Sequence, residues 1–259
     1  MAGHSKWANI QHRKGRQDKA RSKLFSKLSK DITIASKIGG PDPDMNPRLR
    51  LAVNNAKGQS MPKDNIKRAI DKGHGAEGAD YAELRYEGFG PSGIGLIVEV
   101  STDNTNRSAM EVRTAFSKNG GNMGESGSVS FMFDQLGEIT YPLDIGDEDT
   151  VMEAGIESGA DDVITDLPNE DKYDDYEPVH TILTARDDLG AVAAELAKVF
   201  GDAKSVNLIW KAQNEIDVPD KAATVMRLVD SLEDIDDVGS VYHNLEMSEA
   251  AEKALSAEE

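Results

Sequence analysis

The 259-residue chain has no cysteine, which excludes disulfides, thiol nucleophiles and cysteine-ligated zinc or iron–sulfur centres and fits a reducing compartment. Aromatic residues are scarce at 5%, so any core must be mainly aliphatic. Long apolar runs are missing too: the longest, Gly93 to Val98, is far too short to cross a bilayer. The N-terminal Met1-Ala2-Gly3-His4-Ser5-Lys6-Trp7 lacks the apolar stretch of a secretory signal. These absences predict a cytoplasmic protein with no membrane partner. Val, Ile, Leu and Ala nevertheless recur periodically, which argues against global disorder although 29% of residues are charged.

Catalytic constellations are poor as well. The five histidines, His4, His12, His74, His180 and His243, form no HExxH or i,i+4 pair. Asp144 to Asp149 lacks the spacing and glycine of an EF-hand loop. The Asp pairs at 161–162, 174–175, 187–188 and 236–237 read as solvated turns or helix starts. Gly88-Phe89-Gly90-Pro91-Ser92-Gly93 matches GxGxxG but leads into a strand instead of opening a helix, so it reads as a hairpin turn. A kinase-like glycine loop fails for want of a strand lysine and a catalytic-loop signature. The expectation is a non-enzyme with neither metal nor cofactor.

What the chain does have is an uneven charge. Its net −18 conceals a segment, residues 1–73, with 17 Lys and Arg against 6 acidic residues, a net of +11. The other 186 residues carry 12 basic and 41 acidic side chains, a net of −29. Residues 1–30 hold nine Lys or Arg and one Asp. Like charges at that density repel unless a polyanion or its counterions offset them.

Residues 4–23 read as a polar basic arm containing Trp7, which can stack on a base or anchor the arm to its own domain. From Ser22 the pattern is helical, with Leu24, Phe25, Leu28, Ile32 and Ala35 on one face and Lys23, Lys27, Lys30 and Lys37 on the other. Gly39-Gly40-Pro41 ends that helix. Asn46 caps a second helix with Pro47 at its start, Leu49, Ala52, Val53 and Ala56 apolar and Gly58 beyond its end. Ser60 is expected to cap a third helix with Ile66, Ala69 and Ile70 inward and Gly73 at its end. Helices two and three have the outline of a helix-turn-helix, in which Lys63, Asn65, Lys67 and Arg68 would face a groove and Asn65 would pair with adenine.

The acidic remainder alternates strands and helices. Strands are expected at Tyr81 to Glu87, Ile94 to Val100 and Ser128 to Phe133, with a helix from Asn104 or Thr105 to Lys118 that buries Ala109, Val112, Ala115 and Phe116 and turns Arg107 and Arg113 outward. From Gly137 the order βαββαβ is expected: Glu138 to Tyr141, Glu148 to Glu157, Asp162 to Thr165, Val179 to Ala185, Leu189 to Phe200 and Ser205 to Lys211. A helix at Ala222 to Leu232 and a strand at Val238 to Tyr242 would complete the interrupted first sheet. The predicted class is α+β: an N-terminal three-helix domain followed by two α/β domains with ferredoxin-like antiparallel sheets, the third domain inserted in the second. The expected division is 1–78 (basic arm and bundle), 79–135 plus 212–245 (an α/β domain), 136–211 (a ferredoxin-like domain) and 246–259 (an acidic tail).

Several motifs together resemble one family. Gly3-His4-Ser5-Lys6-Trp7-Ala8-Asn9-Ile10 with His12-Arg13-Lys14, Asn46-Pro47-Arg48-Leu49-Arg50, Met61-Pro62-Lys63-Asp64-Asn65-Ile66, Tyr86-Glu87-Gly88-Phe89-Gly90-Pro91, Thr102-Asp103-Asn104 with Asn106-Arg107, and Gly127-Ser128-Val129 are similar to the YebC/PmpR family. The resemblance covers residues 2 to about 133 by motif and the remainder by length and element order. Because the family motif begins at residue 2, it implies a bacterial cytoplasmic member without an organellar presequence. The family usually has Asn at position 60 and Leu at position 101, where this chain has Ser60 and Ser101. The resemblance implies three domains and a role in gene expression: the family is labelled as probable DNA-binding transcriptional regulators, while mitochondrial relatives are translational activators and bacterial members have been linked to ribosomes and difficult peptide stretches.

The expected partner is therefore a nucleic acid, ribosomal RNA or duplex DNA, with the ribosome as the larger target and the protein itself a monomer. Lys6, Arg13, Lys14, Arg16, Lys19, Arg21 and Lys23 are expected on phosphates, Trp7 and His12 on bases by stacking or hydrogen bonding, and Lys27, Lys30, Lys63, Asn65, Lys67 and Arg68 beside them. RNA is favoured, because strongly acidic domains would be repelled by flanking duplex. A DNA-binding regulator and a protein-binding scaffold with a functional acidic face are the alternatives.

Overall fold

The computed structural model describes residues 17–75, 80–166 and 178–257. They fall into two compact units, one built from 80–134 and 210–257, the other from 17–75, 135–166 and 178–209.

The second of these units begins with three helices, α1 (Gln17–Gly39), α2 (Pro47–Gly58) and α3 (Lys63–His74). Ile32 and Ala35 of α1 pack with Leu49, Val53 and Ala56 of α2 and with Met61, Ile66 and Ala69. Phe25 and Leu28 are half-buried, but Leu24, expected inward, is exposed. Its partners stand further along: the buried stripe of α1 is centred on Ile32 to Ser36. Residues 17–21, expected in the arm alone, are already helical, since Gln, Lys, Ala and Arg all favour helix and nothing after Gly15 opposes it.

The loop between α1 and α2 turns on Asn46. Its buried side chain accepts from Leu49 N at 3.0 Å and donates to the carbonyls of Ala35 (2.8 Å) and Gly40 (2.9 Å), so one residue caps α2 and closes α1. Ser60 does not cap α3; Pro62 stands at that position. Ser60 instead occupies the left-handed region at φ 58°. That conformation crowds Cβ, costs roughly 1 kcal/mol or more for most L-residues and is tolerated better by Asn. The Asn expected at position 60 fits this backbone, and Ser60→Gly is expected to raise stability by about 1 kcal/mol. Urea titration compared with wild type checks this; a lower midpoint would refute the strain.

The same unit continues with β4 (Phe133–Pro142), which is reached from the other unit, then α5 (Glu148–Ser158), β5 (Asp162–Thr165), β6 (Val179–Ala185), α6 (Leu189–Phe200) and β7 (Ser205–Ala212). The sheet order β5-β6-β4-β7 is that of a split βαβ sheet. Ile139, Tyr141, Ile182, Val151, Leu189, Val192 and Leu196 form its core beneath α5 and α6. Asn55 of α2 joins the bundle to this sheet. Its amide receives Val206 N at 2.9 Å and donates to Val206 O at 3.1 Å, satisfying both backbone groups of an edge-strand residue as a neighbouring strand would. Gly58 lies so close to the Lys204 carbonyl that a Cβ would stand 2.0 Å from the oxygen.

In the other unit, β1 (Ala82–Phe89), β2 (Gly95–Thr102), β3 (Asn122–Met123) and β8 (Val238–His243) form a sheet of order β3-β1-β2-β8, all neighbours antiparallel. The helices α4 (Thr105–Lys118) and α7 (Pro219–Glu233) contribute Val112, Phe116, Val225, Met226, Leu228 and Val229 to its core. Strand β8 pairs with β2, so the chain returns after residue 210 to complete a sheet begun at residue 82: the third domain is inserted in the second. The GxGxxG run is a hairpin turn, with Ser92 at φ 60° and Gly93 at φ 79°.

Three expectations are corrected here. Ser128 to Phe133 is not a strand of this sheet; the strand beside β1 is Asn122–Met123, and residues 124–132 form a loop that ends in a short 3-10 turn. The Glu87 carboxylate causes the change. It is 1% exposed and its Oε2 accepts from Val129 N (2.8 Å) and Ser130 N (2.9 Å), using amides that a strand would spend on a neighbour. Desolvation pushes Glu87 upward, but the amides of Val129, Ser130 and Gly127 and the nearby Arg85 outweigh it and hold the carboxyl below its ordinary range. Second, Asp237 is no solvated turn residue. It is 6% exposed, and its Oδ2 accepts from Arg107 Nη2 (2.6 Å), Ser108 Oγ (2.7 Å) and Thr102 Oγ1 (2.9 Å). Third, the expected tail carries a helix, α8 (Glu249–Ala257), whose Ala251 and Leu255 are buried in the core of α7.

Candidate nucleic-acid interface

The bundle is built to hold α3 close to α1. Thr33 Oγ1 donates to Ala69 O at 3.2 Å, Ser36 Oγ donates to Ile70 O at 2.9 Å, and buried Gly73 lets the Thr33 carbonyl approach to within 2.2 Å of where a Cβ would stand. Ile66 and Ala69 face inward, which turns Lys63, Lys67, Arg68 and Lys72 outward, and all four are exposed. Arg48, Arg50 and Lys57 are exposed on α2 and add to the positive surface of the bundle, although residue patterning did not select them. The signal of Arg48 and Arg50 was present in Asn46-Pro47-Arg48-Leu49-Arg50, where the capping residue masked the cations that follow.

Of the other expected contacts, Lys6, Trp7, His12, Arg13, Lys14 and Arg16 lie outside the described residues, and Lys19 lies in α1. Arg21 is exposed, with its guanidinium 5.4 Å from the centre of the Phe25 ring. Lys23, Lys27 and Lys30 are half-buried along α1. Asn65 is half-buried, and its side-chain oxygen accepts a hydrogen bond from Arg68 Nη2. Bidentate pairing with adenine needs that oxygen and the amide NH2 together in one plane with the base. Arg68 also donates from Nε to Asp64 O at 3.3 Å. The two polar groups expected to read a groove are therefore engaged with each other.

Chemistry of other kinds has little foothold. Among the described residues no group of three or more His, Asp or Glu stands where it could hold a metal ion. His180 is a satisfied core residue, with Nδ1 at 2.9 Å from Thr165 Oγ1 and Nε2 at 3.1 Å from Gly146 O. Glu138, on β4, is 5% exposed, and burial pushes its carboxyl up to about 7. No described helix is long and apolar enough to cross a membrane.

Residues 5–76 match the family model described as the TACO1/YebC protein N-terminal domain, and residues 81–245 match that of the TACO1/YebC second and third domain. The chain belongs to the TACO1/YebC family. A probable transcriptional regulatory protein of Maricaulis maris is 64% identical over 250 residues, covering 96% of this chain and 97% of the relative. Another, from Hyphomonas neptunium, is 58% identical over 260 residues and covers 99% of both. A crystal structure of a conserved hypothetical protein from Aquifex aeolicus superimposes with a TM-score of 0.77 at 39% identity, over 91% of this chain and 93% of that one.

Several TACO1/YebC motifs acquire physical roles in this fold. Tyr86-Glu87-Gly88 and Gly127-Ser128-Val129 are one device, the carboxylate of the first holding the amides of the second. Thr102-Asp103-Asn104 with Asn106-Arg107 is another: Asn104 caps α4 by accepting from Arg107 N at 3.1 Å, while Thr102 and Arg107 converge on Asp237. Those motifs serve the fold of the acidic unit. The motifs of the basic segment carry the cations.

Proposed function

We propose that this protein is a non-enzymatic nucleic-acid-binding regulator of gene expression that works on RNA, as a ribosome-associated translation factor. The observation that carries the reading is the division of charge, +11 in residues 1–73 against −29 in the rest. A polyanion offsets the first, and affinity from phosphate contacts needs no base readout. Two features favour RNA over a duplex operator. Residues 136–211 carry 19 acidic and 5 basic side chains, a net of −14, and their segment at 204–207 is bonded to α2 of the bundle itself. A long duplex lying on the bundle would run its flanking phosphates past this acidic domain, whereas a local site in folded RNA admits the bundle alone. Asn65 also hydrogen-bonds Arg68, a contact it must give up to read a base edge. In this reading Lys6, Arg13, Lys14, Arg16, Lys19, Arg21 and Lys23 contact phosphates and Trp7 and His12 contact bases. Lys27, Lys30, Lys63, Lys67 and Arg68 extend the positive surface. The acidic α/β domains orient the bundle.

Co-sedimentation with ribosomes at physiological salt, run alongside binding to promoter and random duplexes, tests the proposal. Retention on ribosomes with only weak, sequence-indifferent duplex binding is the expected outcome; tight selective duplex binding without ribosome association would instead favour the transcriptional reading that the relatives' names suggest. Replacing Arg13, Lys14 and Arg16 together by Gln is expected to lower affinity and to flatten the slope of log K against log salt by about 2 for single-stranded contacts. An unchanged slope would remove the arm from the interface.

A further inference from the structure

The loop 124–132, in the unit that holds β1 and β2, presents an aromatic side chain to solvent from a hydrogen-bonded backbone. Val129 is fully buried and Phe133 is 4% exposed, while Phe131 between them is 70% exposed. Alternation about two inward residues explains why position 131 points outward. It does not explain a phenylalanine there, because any polar residue would serve the fold and avoid wetting a ring. The loop is pinned along its length: Gly124 N donates to Glu87 O (2.8 Å), Val129 N and Ser130 N to the Glu87 carboxylate (2.8 and 2.9 Å), Met132 N to Val129 O (2.9 Å) and Gln213 N to Met132 O (2.9 Å). Burying a carboxylate costs several kcal/mol before its hydrogen bonds offset the loss. An apolar residue at position 87 would close the sheet without that cost but would leave the loop amides unheld. The carboxylate's specific contribution is thus a fixed loop, and the fixed loop displays Phe131.

A pre-ordered aromatic loses little entropy on docking, which is the character of an interface anchor. The surrounding charge selects the partner. No Lys or Arg occurs anywhere in residues 119–171, whereas Glu125 and Asp134, both exposed, flank the tip on either side. Arg85, which reaches Glu87, is stacked 4.8 Å from the Trp210 ring and faces that contact. A nucleic acid stacking on Phe131 would bring phosphates to a loop that has no Lys or Arg of its own and carries Glu125. We propose that Phe131 is a docking anchor for a protein partner whose surface offers an apolar pocket rimmed by Lys or Arg. Phe131 belongs to a different unit from the basic bundle, and the proposal stands or falls independently of the RNA reading.

The test is photo-crosslinking in cells of the full chain carrying Phe131→p-benzoylphenylalanine, with the crosslinked peptide mapped by mass spectrometry. The expected product is one protein, joined at an apolar pocket bordered by basic residues. That protein, purified, should bind the wild-type chain with affinity that weakens with salt, and Phe131→Ala should weaken it ten-fold or more. Phe131→Ala should leave both the melting temperature and nucleic-acid retention unchanged. Crosslinks to nucleic acid, to a second copy of this chain or to no single protein overturn the proposal. So does partner binding indifferent to Phe131→Ala, and so does a melting temperature lowered by that substitution, which would mark the ring as packed structure.

Discussion

Asp237→Ala is expected to destabilise the acidic unit by about 3 kcal/mol, the usual scale for removing one side of a buried, charge-assisted network. The carboxylate oxygen Oδ2 is the common acceptor for Arg107, Ser108 and Thr102, and the Ser108 hydroxyl is itself 2.7 Å from Thr102 Oγ1. Without it the two hydroxyls, in wholly buried residues, retain each other, local backbone and a long 3.4 Å contact from Arg107 Nη2 to Thr102 Oγ1, and the guanidinium keeps Asp103 at 2.9 Å. The loss falls at a seam in the sequence. Thr102 closes β2 and Arg107 and Ser108 open α4, whereas Asp237 precedes β8, more than a hundred residues later, and its carbonyl also accepts from Ser101 N at 2.9 Å. The network therefore fastens the returning segment to the one it left. Urea unfolding followed by far-UV circular dichroism measures the effect, with Asp103→Ala as the comparison: Asp103 is exposed and its pairing with Arg107 is an i,i+4 surface bridge, worth under about 1 kcal/mol. Equal effects from the two substitutions would show that Asp237 is not the centre.

That network was invisible to pattern reading for a physical reason. Two adjacent aspartates before a short strand have the composition of a solvated turn, and nothing local tells residue 237 that Thr102 and Arg107 wait beside it. Glu87 is a similar case. Its alternating neighbours announced a strand, and β1 is there, but the buried carboxylate binds amides at 129 and 130 and so converts the expected strand at Ser128 to Phe133 into a loop. Elements whose signals are local were legible: β5, β6 and α6 occupy the expected residues, Asn46 and Asn104 cap the expected helices, and the return of the chain into the first sheet followed from counting strands and helices. The candidate interface was legible in charge but less so in geometry. Lysine and arginine counts marked the segment; the pairing of Asn65 with Arg68, which competes with groove reading, depends on the rotamers of a finished helix.

Gly73→Ala is expected to cost about 3 kcal/mol and to do so in the bundle alone. Replacing glycine by alanine in a helix ordinarily gains about 1 kcal/mol, and Gly190 in α6, with no atom within 4 Å of a built Cβ, should show that gain. Gly73 must show the opposite, because its new methyl would stand 2.2 Å from the Thr33 carbonyl oxygen and 2.9 Å from Ser36 Cβ, a backbone and a short side chain that cannot swing aside. Helices α1 and α3 would have to separate, which lengthens both Thr33 Oγ1 to Ala69 O and Ser36 Oγ to Ile70 O, and overpacking of this kind costs about 1–3 kcal/mol before the hydrogen bonds are counted. The bundle's core is small, with a cluster of eight buried apolar side chains among the described residues, so such a loss is a large part of its stability. Hydrogen exchange resolved by segment should then show faster exchange in residues 17–75 with residues 80–134 unchanged. Nucleic-acid retention should fall in parallel, since cations on a loosened bundle no longer share one rigid surface and each phosphate contact must order its own side chain. Retention at the wild-type level from a bundle that exchanges fast would mean that charge alone, without the packing of α3 on α1, makes the interface.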